Sequence, residues 1–212
     1  MKISQTAEDL GKVSDIQRKN RDDSATDGPV PPILLLLVGA SGSGKSTFYE
    51  NHLQTAFPMV LKASASPLEQ PETDDEWKRL LKMGESFVYQ DVIFNPQQIR
   101  EAKSAGYQVK AVYVATEDPT LNLGRILIRV GNGGAFAPIS RIQGDFSKGL
   151  KQLRSVRKLV DDLMLFDNTL HARGVRVVAH FHEGFLVKLA RTVPGWAQRA
   201  FQAEFEKWLR KG

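Results

Sequence analysis

Ile33-Leu34-Leu35-Leu36-Leu37-Val38-Gly39-Ala40-Ser41-Gly42-Ser43-Gly44-Lys45-Ser46 decides how this chain is read. Six consecutive apolar residues predict a strand buried on both faces, as in the interior of a parallel sheet. The octet that follows has the spacing G-x-x-x-x-G-K-S, and Thr47 to Leu53 reads as the opening of a helix. Strand, tight turn and helix in that order make a P-loop, whose backbone N–H groups and positive helix end form an anion cradle. A serine-glycine linker would not sit directly against six apolar residues. Gly39, Ala40, Ser41, Gly42, Ser43, Gly44, Lys45, Ser46 and Thr47 are therefore the expected binding residues for a nucleoside triphosphate such as ATP. Lys45 can reach the β- and γ-phosphates, and the Ser46 hydroxyl suits Mg2+.

The chain has 212 residues, enough for one α/β domain with additions and a core that needs no staples. It contains no cysteine, which excludes disulfides, thiolate metal sites and a cysteine nucleophile. Met1 to Gln5 lacks an apolar signal core, and the run 33–38 is too short to span a bilayer. The expectation is a cytoplasmic protein without membrane contact. Net charge is +5, and its placement says more than its size. Between Leu121 and Lys158 lie Arg125, Arg129, Arg141, Lys148, Lys151, Arg154, Arg157 and Lys158 against the single acid Asp145. Beside a P-loop such a surplus points to nucleotide and substrate phosphates; no aromatic interleaving or nucleic-acid motif accompanies it, so nucleic acid is not an expected partner.

Residues 1–32 read as a polar extension ending at Gly28-Pro29-Val30-Pro31-Pro32, with the kinase-like domain over 33–212. Met59 to Leu61 and Phe87 to Tyr89 are predicted strands, and Ser64 to Asp75 a mobile loop. Asn95-Pro96 and Asp118-Pro119 are cap-plus-proline helix starts, for helices over 97–105 and about 120–130, with a strand over 109–115 between them. Gly131-Asn132-Gly133-Gly134 ends the second. Leu150, Leu153, Val156, Leu159, Val160 and Leu163 recur at helical spacing and complete a basic helical region over 120–164. Strands over 164–166 and 175–178 and a closing helix over 194–210, with Trp196, Ala200, Phe201, Phe205, Trp208 and Leu209 as its core-packing stripe, finish the chain. Alternating strands and helices predict a P-loop NTPase fold with a doubly wound, mostly parallel sheet and ligands at the strand C-termini.

The pattern resembles the zeta-toxin-like P-loop kinases over roughly Ile33 to Asn168. The likeness rests on Ser86-Phe87, Ala102-Lys103 with Gly106-Tyr107, Tyr113-Val114 with Thr116, Leu123 before Arg125 and Arg129-Val130, Gly133-Gly134, Pro138, Ile142, Leu150, Leu153, Asp162 and Phe166-Asp167-Asn168. Characterised members resemble nucleotide kinases and phosphorylate UDP-N-acetylglucosamine with ATP. The resemblance implies a UDP-sugar as acceptor, a small antitoxin as partner, and a transfer arginine on the helix after the fourth strand. The chain departs from it at four places. Ala135 stands where a histidine or arginine is usual, and Asp145 where an arginine often precedes an aromatic. Ser64 falls where the family's base lies, and Gln90 where its third-strand acid lies.

Phosphoryl transfer needs clamped phosphates, a placed metal, an aligned acceptor hydroxyl and cations to meet developing charge. Arg125 and Arg129, four residues apart on one helical face, are candidates for the last role. Asp91, at a strand end, is a candidate acceptor-side carboxylate, with a magnesium ligand and an ordinary turn acid as rival readings; Asp167 is a fallback. His180 and His182 share one strand face without a third ligand and read as structural. Three functions are open: a sugar-nucleotide kinase, a kinase for another metabolite or antibiotic hydroxyl, and a catalytically degenerate ATP-binding module that regulates a partner.

Overall fold

The computed structural model describes residues 30–63, 70–134, 136–170 and 174–210. Most of the N-terminal extension, Ser64 and Ala135 therefore lie outside the described residues.

β1 (Ile33–Val38) lies in the middle of a seven-stranded sheet with β2 (Val60–Lys62), β3 (Phe87–Asp91), β4 (Gln108–Ala115), β5 (Asp162–Asp167), β6 (Arg176–His182) and β7 (Phe185–Leu189). Their order is β2-β3-β1-β4-β5-β6-β7, parallel through β5 and antiparallel beyond it. β1 is buried along its whole length because it faces two cores. Leu34, Leu36 and Val38 join Trp77, Tyr113, Trp196 and Phe201 on one side. Leu35 and Leu37 join Phe48, Leu53 and Phe166 on the other. The uninterrupted apolar run in the sequence is the trace of this double burial.

The helices are α1 (Lys45–Phe48), continued by a π-helical turn over Tyr49–Leu53, α2 (Gln70–Met83), α3 (Pro96–Ser104), α4 (Pro119–Gly131), α5 (Ile139–Val156) and α6 (Gly195–Leu209). Two start where the caps predict. The Asn95 side chain accepts from the Gln97 N–H at 3.0 Å, and that of Asp118 from the Thr120 N–H at 2.7 Å, each with proline at the first helical position. The end of α4 is a Schellman motif, with Gly134 N–H on the Arg129 carbonyl and Gly133 N–H on that of Val130.

Four expectations change. Trp196, Ala200, Phe201 and Phe205 of α6 are buried, but Trp208 and Leu209 are exposed, because they lie at the helix end beyond the residues that pack on Phe181. The stretch expected as a loop up to Asp75 is helical from Gln70, because Trp77 and Leu80 on α2 are buried against Phe87 and Tyr89. Leu159, Val160 and Leu163 do not continue the basic helix. α5 stops at Val156, and Asp161 fastens the chain to β4 by accepting the Val109 N–H at 2.7 Å and donating its own N–H to the Val109 carbonyl at 2.8 Å. β7 was not expected; it closes a hairpin through Glu183 and Gly184, both at positive φ (48° and 77°), as in a type I′ turn. His180 and His182 both point at Asp162 Oδ1, at 2.7 and 3.0 Å, at the end of the sheet opposite the P-loop. Among the described residues no helix is long and apolar enough to cross a membrane.

Candidate active site

β1 delivers the chain at Val38 between Asp91 of β3 and Tyr113 of β4, its register partners. The glycines that follow are demanded by what lies against them. A Cβ on Gly39 would sit 2.1 Å from the Val114 carbonyl oxygen, and one on Gly42 2.5 Å from that of Asn122. At Gly44, φ is 98° and a Cβ would stand 2.2 Å from Asn168 Nδ2. Two asparagines clamp the loop. Asn122 on α4 donates to the Ser41 carbonyl at 2.9 Å, its own Oδ1 held by the Thr116 hydroxyl at 2.5 Å. Asn168, just past β5, donates to the Ser43 carbonyl at 2.8 Å. Neither clamp was identified as a site residue from the sequence, although Thr116 and Asn168 belong to the family-like pattern.

Lys45 is 8% exposed and folds over the loop, donating to the Gly39 carbonyl at 2.5 Å and the Ala40 carbonyl at 3.2 Å. Burial pushes its ammonium down to about 8, opposed by the pull of Asp91 and Asp145 and aided by the push of Arg129. Those four side chains thus share one electrostatic neighbourhood. Ser46 and Thr47 are exposed, and the Ser46 hydroxyl accepts from Gln90 Nε2 at 3.3 Å. Asp91 accepts the Val92 N–H on Oδ1 at 2.5 Å. Burial raises its carboxyl above the usual range; the Val92 and Ile93 amides and Lys45 pull it down, while Asp145 adds to the rise.

The two arginines separate. Arg125 Nη2 donates to the Asn168 carbonyl at 2.7 Å, so this residue braces the clamp from the side of β5. Arg129, one turn later, lies within electrostatic reach of Lys45, and Gly134 packs on its stem, where a Cβ would meet Cγ at 2.5 Å. Asp167 has a different task from the fallback role. It is buried and accepts from Arg176 at 3.0 Å, from Trp196 Nε1 at 3.2 Å and from the Thr169 hydroxyl at 2.6 Å, so its oxygens are occupied by the fold. Asp167→Asn should lower stability by about 2–3 kcal/mol, the scale of lost charge-assisted hydrogen bonds, and leave calorimetric ATP affinity within threefold of wild type. The basic segment is partly structural as well. Arg157 pairs with Glu204 of α6 at 2.9 Å, and Arg154 donates to the Ala200 carbonyl at 2.9 Å.

Four buried side-chain atoms around the loop have no hydrogen-bond partner among the described residues: Ser43 Oγ, Gln90 Oε1, Arg125 Nη1 and Asp145 Oδ2. Orphans are rare in folded proteins, and a cluster of them around one loop fits a polar ligand. The exposed Ser46 hydroxyl is an oxygen donor of the kind a hard cation takes. Among the described residues no cluster of three or more His, Cys, Asp or Glu is placed to hold a metal. Magnesium that relies on one hydroxyl, phosphates and water is compatible with that poverty of carboxylates.

Solved structures share this architecture. The PezAT chromosomal toxin-antitoxin system of the human pathogen Streptococcus pneumoniae aligns with a TM-score of 0.52 at 15% identity, over 95% of this chain and 97% of that one. The AvrRxo1-ORF1:-ORF2 complex solved with ATP aligns with a TM-score of 0.57 at 14% identity, over 95% and 70%. What they share with this chain is the fold, a mostly parallel α/β sheet flanked by helices. At such identities the likeness is one of fold, and no family model or curated protein matches the sequence.

Proposed function

We propose that this chain is an ATP- and Mg2+-dependent kinase of zeta-toxin type, which phosphorylates a hydroxyl of a small molecule, with UDP-N-acetylglucosamine as the first acceptor to test. The observation that carries the reading is the clamped P-loop, with Lys45 folded over it and Asp91, Asp145 and Arg129 within its electrostatic reach. Residues Gly39 to Thr47 hold the phosphates, and Lys45 leaves the Gly39 and Ala40 carbonyls to meet them. Ser46 holds the metal, with Gln90 beside it. Arg129 neutralises charge on the transferred group, while Arg125 braces the nucleotide side of the clamp through Asn168. Asp91 supplies a carboxylate next to Lys45. Bound ATP supplies the phosphoryl group and magnesium part of the neutralising charge.

The sugar-nucleotide acceptor and a small antitoxin that covers the cleft are supported by the resemblance in sequence and by the fold shared with a toxin-antitoxin system. A cytoplasmic location agrees with such a substrate. A second acceptor class, another metabolite or antibiotic hydroxyl, is favoured by one feature: Asp145, where the resembling family often has arginine, stands beside Lys45 and Asp91. Transfer of radiolabelled γ-phosphate to UDP-N-acetylglucosamine, absent in Lys45→Ala, is the expected result. ATP binding without such transfer would remove this acceptor and leave the second class.

A further inference from the structure

We propose that Asp145 is the catalytic carboxylate that takes the proton from the acceptor hydroxyl. This rests on the kinase reading and fills the role left open by Ser64 and Gln90 in the resembling pattern.

Three observations place it. First, Asp145 Oδ2 is buried and makes no hydrogen bond among the described residues; the ion pair it forms with Arg141 on its own helix is at 3.8 Å from Nε, too far for a hydrogen bond. A carboxylate oxygen withdrawn from water without a donor is costly, and an acceptor hydroxyl is the donor such an atom would meet during turnover. Second, the helix that carries it is fixed against the strand beside the loop. Gly149, one turn after Asp145 on the same face of α5, lies so close to Tyr113 that a Cβ there would meet the phenol oxygen at 2.6 Å. Tyr113 is the register partner of Val38, the last residue before the P-loop. Third, Asp145 lies within electrostatic reach of both Lys45 and Asp91.

The two carboxylates are not equivalent. Asp91 Oδ1 is occupied by the Val92 N–H at 2.5 Å, and its strand neighbour Gln90 reaches Ser46, so Asp91 belongs to the metal side. Asp145 comes from the β4 side of the loop, on a helix, with an oxygen that makes no hydrogen bond among the described residues. In the step it serves, the acceptor O–H proton passes to Asp145 Oδ2 as the acceptor oxygen bonds to the γ-phosphorus. The bond from that phosphorus to the bridging oxygen breaks, ADP keeps the electron pair, and Asp145 later returns the proton to solvent.

The test compares wild type with Asp145→Asn and Asp145→Glu. ATP–Mg affinity is measured by calorimetry. Turnover is measured both as transfer to UDP-N-acetylglucosamine and as hydrolysis, in which water is the acceptor. General-base assistance contributes roughly 100- to 10,000-fold, so Asp145→Asn should lose at least tenfold in whichever turnover wild type shows. Its ATP affinity should stay equal or rise by about two- to tenfold, because one negative charge facing the γ-phosphate is gone. Asp145→Glu, which keeps the carboxylate, should recover part of the turnover. Asp145→Asn that turns over within tenfold of wild type, or that binds ATP more than tenfold more weakly, overturns the assignment alone. Wild type that binds ATP but neither transfers nor hydrolyses it overturns the kinase reading, and the assignment with it.

Discussion

Lys45→Met is expected to weaken ATP binding by roughly 100-fold or more, and to make the ligand-free protein more stable. The first effect follows from losing charge-assisted bonds to two phosphates, at about 1.5–3 kcal/mol each. The second follows from burial. Lys45 is buried, with its ammonium at about 8 against an ordinary 10.5, so holding it charged in the folded chain costs about 3 kcal/mol. The usual sign for a lysine is reversed here. Below pH 8 both folded and unfolded chains carry the proton and the full cost is present. Between about 8 and 10.5 the unfolded chain binds more protons than the folded one, so stability rises with pH across that window. Lost hydrogen bonds to the Gly39 and Ala40 carbonyls offset part of the gain. The expected net gain at pH 7 is about 1–3 kcal/mol, or a melting temperature higher by about 3–10 °C, vanishing towards pH 10.5. Melting curves of both proteins across that range check it, and a variant less stable than wild type at pH 7 would show that the buried charge is not under strain.

Trp196→Ala is expected to be the most damaging single change to the fold away from the loop. The ring is fully buried, lies 6.0 Å from that of Tyr113, and donates its N–H to Asp167. Truncation costs about 3–5 kcal/mol for the cavity and lost contacts. It also takes a donor from a buried carboxylate, adding about 1 kcal/mol. Against the 5–15 kcal/mol typical of a domain, this is a large share, and the melting temperature should fall by about 10 °C or more. Trp196→Phe keeps most of the volume without the N–H, and should cost about 1–2 kcal/mol. Equal losses in both variants would mean that the bond to Asp167, and not the packing, is what matters.

Local signals in the sequence carried most of the fold. The β1–loop–α1 unit, the Asn95 and Asp118 caps and the Gly133-Gly134 stop each need only a few neighbouring residues, and each appears in place. What the sequence concealed depends on distant partners. The stretch before Asp75 looks like a polar loop until Trp77 is seen against Phe87 and Tyr89. Leu159, Val160 and Leu163 keep a helical rhythm through a turn, because turn and strand bury their apolar side chains in the same core. The β6–β7 hairpin did carry a legible signal, Glu183-Gly184 between two apolar-rich runs. The site divides in the same way. The P-loop residues were plain, but Asn122 and Asn168 contact the loop from 81 and 125 residues away, and only the fold brings them there. Asp145 stood out in the sequence as the single acid of a basic segment and as a departure from a family pattern; its electrostatic reach to Lys45 and Asp91 needs α5 docked on β4.

Titration calorimetry of ATP–Mg at pH 8, in two buffers of different ionisation enthalpy, reports directly on whether this loop grips polyphosphate with Lys45. With the free ammonium at about 8, half the molecules are uncharged before binding and essentially all are charged after it, so binding should take up about half a proton at a single site. Lys45→Met should show neither the tight binding nor the uptake. An absence of binding heat in wild type, or binding of equal strength and without proton uptake in both proteins, would contradict the account.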